Sequence, residues 1–315
     1  MTEQNKRDRL TRRVRLFTVT GLVLLAAVAA VAVLLDPEGF LARLLFLTHR
    51  EIARPKMYGT FHLAFFGTTV LILGLIFAFH EKIPKNRLDD IVFAAGIFLF
   101  FSELYKQLYY HTVLGNGHYN FSILPLQLCS YVLYLYLLLP LLPEGRVKNT
   151  LYLFTAFYQT AGGCVVMGCP LFYPQLALSV HTMLWHIVMI SVGVLILLLR
   201  GYGERYFGEI LPAAAVFLSV YVFGMILNVA LAPLTVHSAG PLNLFYLSPL
   251  EETHNIIIAD VRRAIGWFPA VVTYAVLITA VCVNAIWAVG FAVRKIKATV
   301  SKRKGATHEQ QERTE

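Results

Sequence analysis

The sequence predicts an all-α polytopic membrane protein, a bundle of about eight transmembrane helices with seven as the alternative count and both termini cytoplasmic. Two observations carry this. The 315 residues are 57% hydrophobic and only 14% charged, and apolar runs of about 20 residues, enough to cross a bilayer at the helical rise, recur with short charged gaps between them. Water cannot solvate such a chain as a globular domain.

The expected spans are 14–36, 59–80, 91–110, 122–143, 151–169, 176–200, 209–231 and 267–294. The first follows a basic head, yet it is too long for the apolar core of a signal peptide and has no convincing cleavage site, so it reads as retained. The chain therefore divides into a basic N-terminus (1–13), one helical membrane domain (14–294) and a polar tail (295–315) expected to be disordered. Residues 37–58 have an apolar face interrupted by Arg43, Arg50 and Arg54, the pattern of an amphipathic helix lying on the membrane surface; an ordinary solvated loop is the plainer reading. The loop 232–266, rich in Pro and Asn, is too long for a turn and reads as a lid or re-entrant piece, with Asn243, Glu251, Glu252, His254 and Asp260 as its polar groups. Cys129, Cys164, Cys169 and Cys282 all fall in spans, where cysteine commonly packs as a small hydrophobe and sets no redox compartment.

The 27 Lys and Arg do not form one patch. With the N-terminus inside, cytoplasmic segments hold six in the N-terminal head, three in 81–90, two in 144–150, two in 200–208 and seven from Arg294 onward. Outer loops hold Arg43, Arg50, Arg54, Lys56, Arg262 and Arg263, and Lys106 lies within a span. This bias sets orientation and argues against nucleic acid as a partner. A bacterial-type plasma membrane is the expected location.

Polar residues within spans are costly and concentrate in one layer. Counting residues from the outer ends at the helical rise, Cys129 lies about 10 Å deep, and His181 and His186 about 8 and 15 Å. Glu103 and Lys106 are seven and four residues from the outer end of their span, while His62 and Asn228 are three residues inside theirs. Glu103 and Lys106, three apart with Gln107 on the same face, form either a structural ion pair or a functional one. The two histidines, about 140° apart around a helix, do not make the one-helix chelate that a metal wants. Each reads as interhelical glue or as the base of a nucleophilic pair. Cys129 is correspondingly a packing residue or a thiol nucleophile, with Ser122 and Ser130 ranking below it. No Gly-x-Ser-x-Gly elbow, phosphate loop or haem motif appears, so neither a cofactor nor a metal is expected.

The stretch "ILPLQLCSYVLYL" resembles the Leu-Pro-Leu-His-Leu-Cys signature of YwaF-like integral membrane proteins, which are similar to the eukaryotic transmembrane protein 164 family. Glu103 on the preceding helix, His186 or His181 on a later one, and Gly240, Asn243, Tyr246 and Leu247 in the last loop agree in order and type, over roughly 59–290. The resemblance implies acyl transfer between phospholipids through a membrane-embedded Cys and His, or lipid hydrolysis. By position it maps the Cys to Cys129 and the His to His186 or His181. The family's His two residues before the Cys is Gln127 here, which cannot titrate.

The expectation is thus a lipid acyltransferase or acyl hydrolase with membrane lipids as partners. Cys129 and His186 or His181 would be catalytic, and Glu103, Lys106, Gln127, Asn228 and Asn243 would bind substrate. The alternative is a transporter or lipid carrier built on the Glu103, Lys106 and histidine cluster.

Overall fold

The structure, a computed structural model, describes the backbone of residues 3–251 and 256–312. Among these residues there is no strand, and an isolated bridge joins Glu51 to Gln175. The helices are α1 (Glu3–Leu35), α2 (Phe40–Leu47), α3 (Thr60–Phe79), α4 (Leu88–Tyr109), α5 (Tyr131–Leu138), α6 (Arg146–Phe154), α7 (Thr160–Gly168), α8 (Leu176–Arg200), α9 (Tyr206–Thr235), α10 (Ile256–Ile265), α11 (Trp267–Leu277) and α12 (Asn284–Glu312). A π turn at Thr155–Gln159 joins α6 to α7, and another at Ile278–Val283 joins α11 to α12.

Among the described residues, five helical stretches are long and apolar enough to cross a membrane: Arg9–Leu35, Thr60–Lys82, Leu176–Arg200, Tyr206–Thr235 and Trp267–Thr299. The other three expected spans differ in kind. The third is the 22-residue α4, which carries Asp89, Asp90, Glu103 and Lys106. The fourth is continuously helical only over Leu128–Leu141, and the fifth is α6 and α7 with their π turn.

Burial ranks the helices. In α8, 72% of the most apolar window is buried within the protein, against 11% for the stretches containing α1 and α3. α8 is therefore the hub, and the others turn side chains such as Leu24, Leu71, Val222 and Ile226 outward, as hydrocarbon surroundings allow. Close approach to the hub needs a small residue: a Cβ on Gly193 of α8 would meet the Thr160 hydroxyl at 1.8 Å, beside the π turn.

Two expectations are corrected. The surface helix expected over 37–58 exists only as α2. From Thr48 to Gly59 the chain is an irregular strap, because Pro55 withholds a helical donor and Ile52 N–H donates instead to Pro174 O (2.9 Å), while Leu176 N–H donates to Arg50 O (2.9 Å). The tail expected to be disordered continues α12 as helix to Glu312; its Lys, Ala, Glu and Gln residues favour that state.

The bundle end opposite the strap is closed by charge. Lys148, almost fully buried, bridges Asp89 (2.6 Å) and Glu144 (2.7 Å). Arg200 pairs with Glu144 (3.1 Å) and lies over the Tyr152 ring (4.2 Å), whose hydroxyl donates to Asp89 (2.5 Å). Arg15 of α1 reaches Asp90 (2.5 Å) and the Pro140 carbonyl (2.8 Å).

Burial alone would raise the Glu144 pKa, but hydrogen bonds from Lys148 and Arg200 outweigh it and hold the carboxyl below its ordinary value. A depressed carboxyl pKa stabilises the fold above the unfolded pKa, and that contribution is lost as pH falls through the folded one. We expect Glu144→Gln to lower the melting temperature at pH 7, with the gap to wild type closing as the pH falls through the lowered Glu144 pKa. A gap unchanged with pH would show that the ion pairs contribute nothing.

Candidate functional site

The site is built where a helix starts late. Leu124, preceding Pro125, is pushed away from helical backbone. A short turn at Phe121–Ile123 precedes it, capped by Asn120 Oδ1, which accepts from Ser122 N–H (2.9 Å) and Ser122 Oγ–H (2.6 Å). Helical geometry begins at Leu128, so Cys129 lies in the first turn rather than seven residues down a helix. The depth obtained by counting helical rise from residue 122 is therefore corrected: those residues do not form a continuous α-helix. Cys129 is partly exposed, and the side chain of Ser130 lies beside its thiol.

Trp185 ties this turn to the hub. Its indole N–H donates to the Cys129 carbonyl (3.1 Å), which places the turn carrying Cys129 against the stretch of α8 holding both histidines. His181 packs on the Trp185 ring (5.4 Å between centroids), and its Nδ1 lies 2.7 Å from Ser102 Oγ, next to Glu103. His186 Nδ1 lies 2.7 Å from the Thr182 carbonyl, an acceptor only, so this nitrogen carries the proton. Nε2 is then a bare lone pair, buried without a partner. Among the described residues no hydrogen bond joins Cys129 to either histidine.

Glu103 is buried, and its Oε1 receives Lys106 Nζ (2.8 Å) and Gln107 Nε2 (2.7 Å). Gln107 also donates to Ile123 O (2.8 Å) and accepts from the Tyr119 hydroxyl (2.7 Å), so α4 is stitched to the segment leading to Cys129. Burial, and then the Glu103 charge, push the Tyr119 phenol up to about 12, which keeps it a donor. Glu103 Oε2 has no partner. The charges of Glu103 and Lys106 both act on Cys129.

Three residues expected to bind substrate have polar groups engaged elsewhere. Asn228 of α9 holds Leu244 by both amide atoms, donating to its carbonyl (2.9 Å) and accepting its N–H (2.8 Å). Gln127 accepts the Phe245 N–H (2.6 Å) and donates to Asn243 O (2.8 Å). Asn243 Oδ1 accepts the Ser248 N–H (2.9 Å). Together they hold residues 240–248 into the bundle, where Leu242, Leu244, Phe245 and Leu247 are buried. Phe245 and Tyr246 have φ of 57° and 58°, a left-handed pair that costs roughly 1–2 kcal/mol per residue. The Phe245 ring fills the notch left by Gly224, where a Cβ would approach it to 2.2 Å. The expected lid thus forms part of the wall. His62, expected in the same layer, bridges Tyr58 N–H (2.9 Å) and Met167 O (2.8 Å) as a packing residue. Arg262 fastens the loop through the carbonyls of Ser248, Pro249 and Glu251, Asp260 pairs with Arg263, and Glu252 and His254 lie outside the described residues.

Tyr173, Tyr246 and Tyr274 lie within electrostatic reach of Cys129. Tyr274 stacks on Tyr221 (5.8 Å), which lines an apolar groove of about 1010 Å³ between α9 and α11, together with Met225, Ile226, Val272 and Val276. Sequence reasoning missed Trp185, Ser102 and these tyrosines. Trp185, sitting between the two histidines, was the one signal in view. Among the described residues no three His, Cys, Asp or Glu side chains are placed to hold a metal ion.

Removing one partner of a buried ion pair strands the other charge, at a cost of about 3–5 kcal/mol. We expect Lys106→Met to be strongly destabilised in detergent melts, and Glu103→Gln with Lys106→Met to recover most of the loss. A double variant as stable as wild type but inactive would assign the pair to function rather than packing.

No family model, curated protein or solved structure matches this chain, so the likeness to YwaF-like proteins rests on the motif positions quoted above.

Proposed function

We propose that the protein is a multi-pass membrane enzyme that moves or hydrolyses an acyl chain of a membrane lipid, with Cys129 as nucleophile and His186 as its base. The observation that carries this is the bare, buried Nε2 of His186 on the helix that Trp185 fastens to the Cys129 turn. His181, engaged with Ser102, ranks second as the base. The eight expected spans, with the N-terminus inside, belong to the same reading, as does a plasma membrane of bacterial type.

In this mechanism His186 Nε2 takes the Cys129 thiol proton. The thiolate attacks the ester carbonyl, the C–O bond breaks, and the departing lysolipid alkoxide takes the proton from His186. Water or the hydroxyl of a second lysolipid then attacks the thioester, delivering its proton through His186 and regenerating the thiol. The thiol and imidazole are not hydrogen-bonded in the free protein, and catalytic contacts of this kind commonly tighten only when substrate is bound. The groove between α9 and α11, about 1010 Å³ and backed by the Tyr221–Tyr274 stack, is of a size and polarity to take an alkyl chain.

A second reading is favoured by Glu103 Oε2, a buried carboxylate oxygen without a partner. It suits a proton site in a transporter or lipid carrier.

The test is lipidomics on membranes containing wild type, Cys129→Ala, His186→Ala and Glu103→Gln at matched levels. The enzyme reading expects acyl redistribution or lysolipid formation with wild type, falling at least about 100-fold in the first two variants. Full activity in Cys129→Ala would overturn it. No lipid change in any sample, together with pH-dependent uptake requiring Glu103, would favour the transporter.

A further inference from the structure

The strap Thr48–Gly59 carries Arg50, Arg54 and Lys56, all exposed, at the end of the bundle that is poorer in cations. Among the described residues none of the three has a side-chain hydrogen bond or an ion pair. The strap's own acid, Glu51, accepts instead from Gln175 Nε2 (3.2 Å). At the other end Lys148, Arg200, Arg15 and Arg294 are paired with carboxylates, while among the described residues Lys82, Lys85, Arg146 and Arg205 have no ion pair but lie on the side that the charge bias favours. Unpaired cations at the poorer end run against the charge bias that orients membrane proteins, so they need another reason to be there.

The strap is also held in place. Backbone bonds fix Arg50 and Ile52 to Leu176 and Pro174. Thr48 Oγ meets the Tyr105 hydroxyl (2.7 Å), His49 meets the Tyr109 hydroxyl (2.6 Å), and the Tyr58 hydroxyl donates to Gly168 O (3.1 Å). Phenols of this kind favour the headgroup level of a bilayer. Beside the strap, α2 exposes Phe40, Leu44, Phe46 and Leu47, side chains that bilayer hydrocarbon would cover. Exposed cations on a strap tethered to phenols, next to an apolar face, match a molecule with an anionic head and hydrocarbon chains. Arg54 lies within electrostatic reach of Tyr173, which is itself within reach of Cys129.

We propose that Arg50, Arg54 and Lys56 form a binding site for the phosphate headgroup of an anionic phospholipid, whose chains lie along α2. The site stands whether or not Cys129 is a nucleophile, because it is defined by binding.

The experiment uses the full chain in detergent and native mass spectrometry, titrating phosphatidylglycerol and phosphatidylcholine of equal chain length. Wild type is expected to prefer phosphatidylglycerol at least tenfold, since cations near a headgroup favour anionic lipid. Arg50→Gln/Arg54→Gln/Lys56→Gln is expected to abolish most of that preference with an unchanged melting temperature. Lys82→Gln/Lys85→Gln/Arg205→Gln, at the other end, is expected to keep it. Three outcomes would overturn the proposal: no preference in wild type, equal loss in both triple variants, or full competition by millimolar inorganic phosphate, which would mean a site for a free anion. Should the strap variant melt early, Arg54→Gln against Arg54→Lys decides, retention of the preference being expected only in the latter.

Discussion

In an apolar surrounding every backbone N–H and C=O must find its partner inside the protein, and this constraint shapes the end of the bundle that holds Cys129. Two segments that are not α-helical enter there, 121–127 and 240–248. They are tolerated because side-chain amides replace the missing helical bonds: Asn228 holds Leu244, Gln127 holds Phe245 and Asn243, and the Gly240 carbonyl receives Phe121 N–H (2.8 Å). A buried backbone group left bare would cost about 1–3 kcal/mol, so each of these amides is worth a sizeable share of the stability of the fold. The late start of α5, and with it the position of Cys129, follows from this arrangement.

Against such thorough pairing, the unpaired atoms stand out. Glu103 Oε2, Tyr131 OH and His186 Nε2 are bare on the three helices α4, α5 and α8 that surround the Cys129 turn. Gln159 and Ser191 also lack partners, near the π turn between α6 and α7, a kind of turn found frequently at functional sites. Intramembrane polar groups without structural partners are expensive, which makes the first set the natural place to look for chemistry. By the same comparison, Gln127, Asn228 and His62 have their polar groups engaged with backbone.

The two ends of the bundle treat charge differently. The closed end holds part of its charge in a network in which one buried lysine serves two carboxylates. The strap end leaves its cations exposed on backbone that is fixed by hydrogen bonds to the entrance of α8. The first arrangement locks helices together; the second presents charge to whatever lies outside.

Much of this was legible in the chain itself. Hydropathy runs located the helical stretches, because solvation by hydrocarbon is a property of composition that each segment carries alone. The pairing of Glu103 with Lys106, three residues apart on one helix face, was also visible, since spacing within a helix fixes which side chains meet. What the sequence could not contain was the non-helical approach to Leu128, the tautomer of His186, and the task of Gln127, whose partners lie 116 and 118 residues away. Those depend on which backbone atoms packing brings within hydrogen-bond range, and only the tertiary structure decides that.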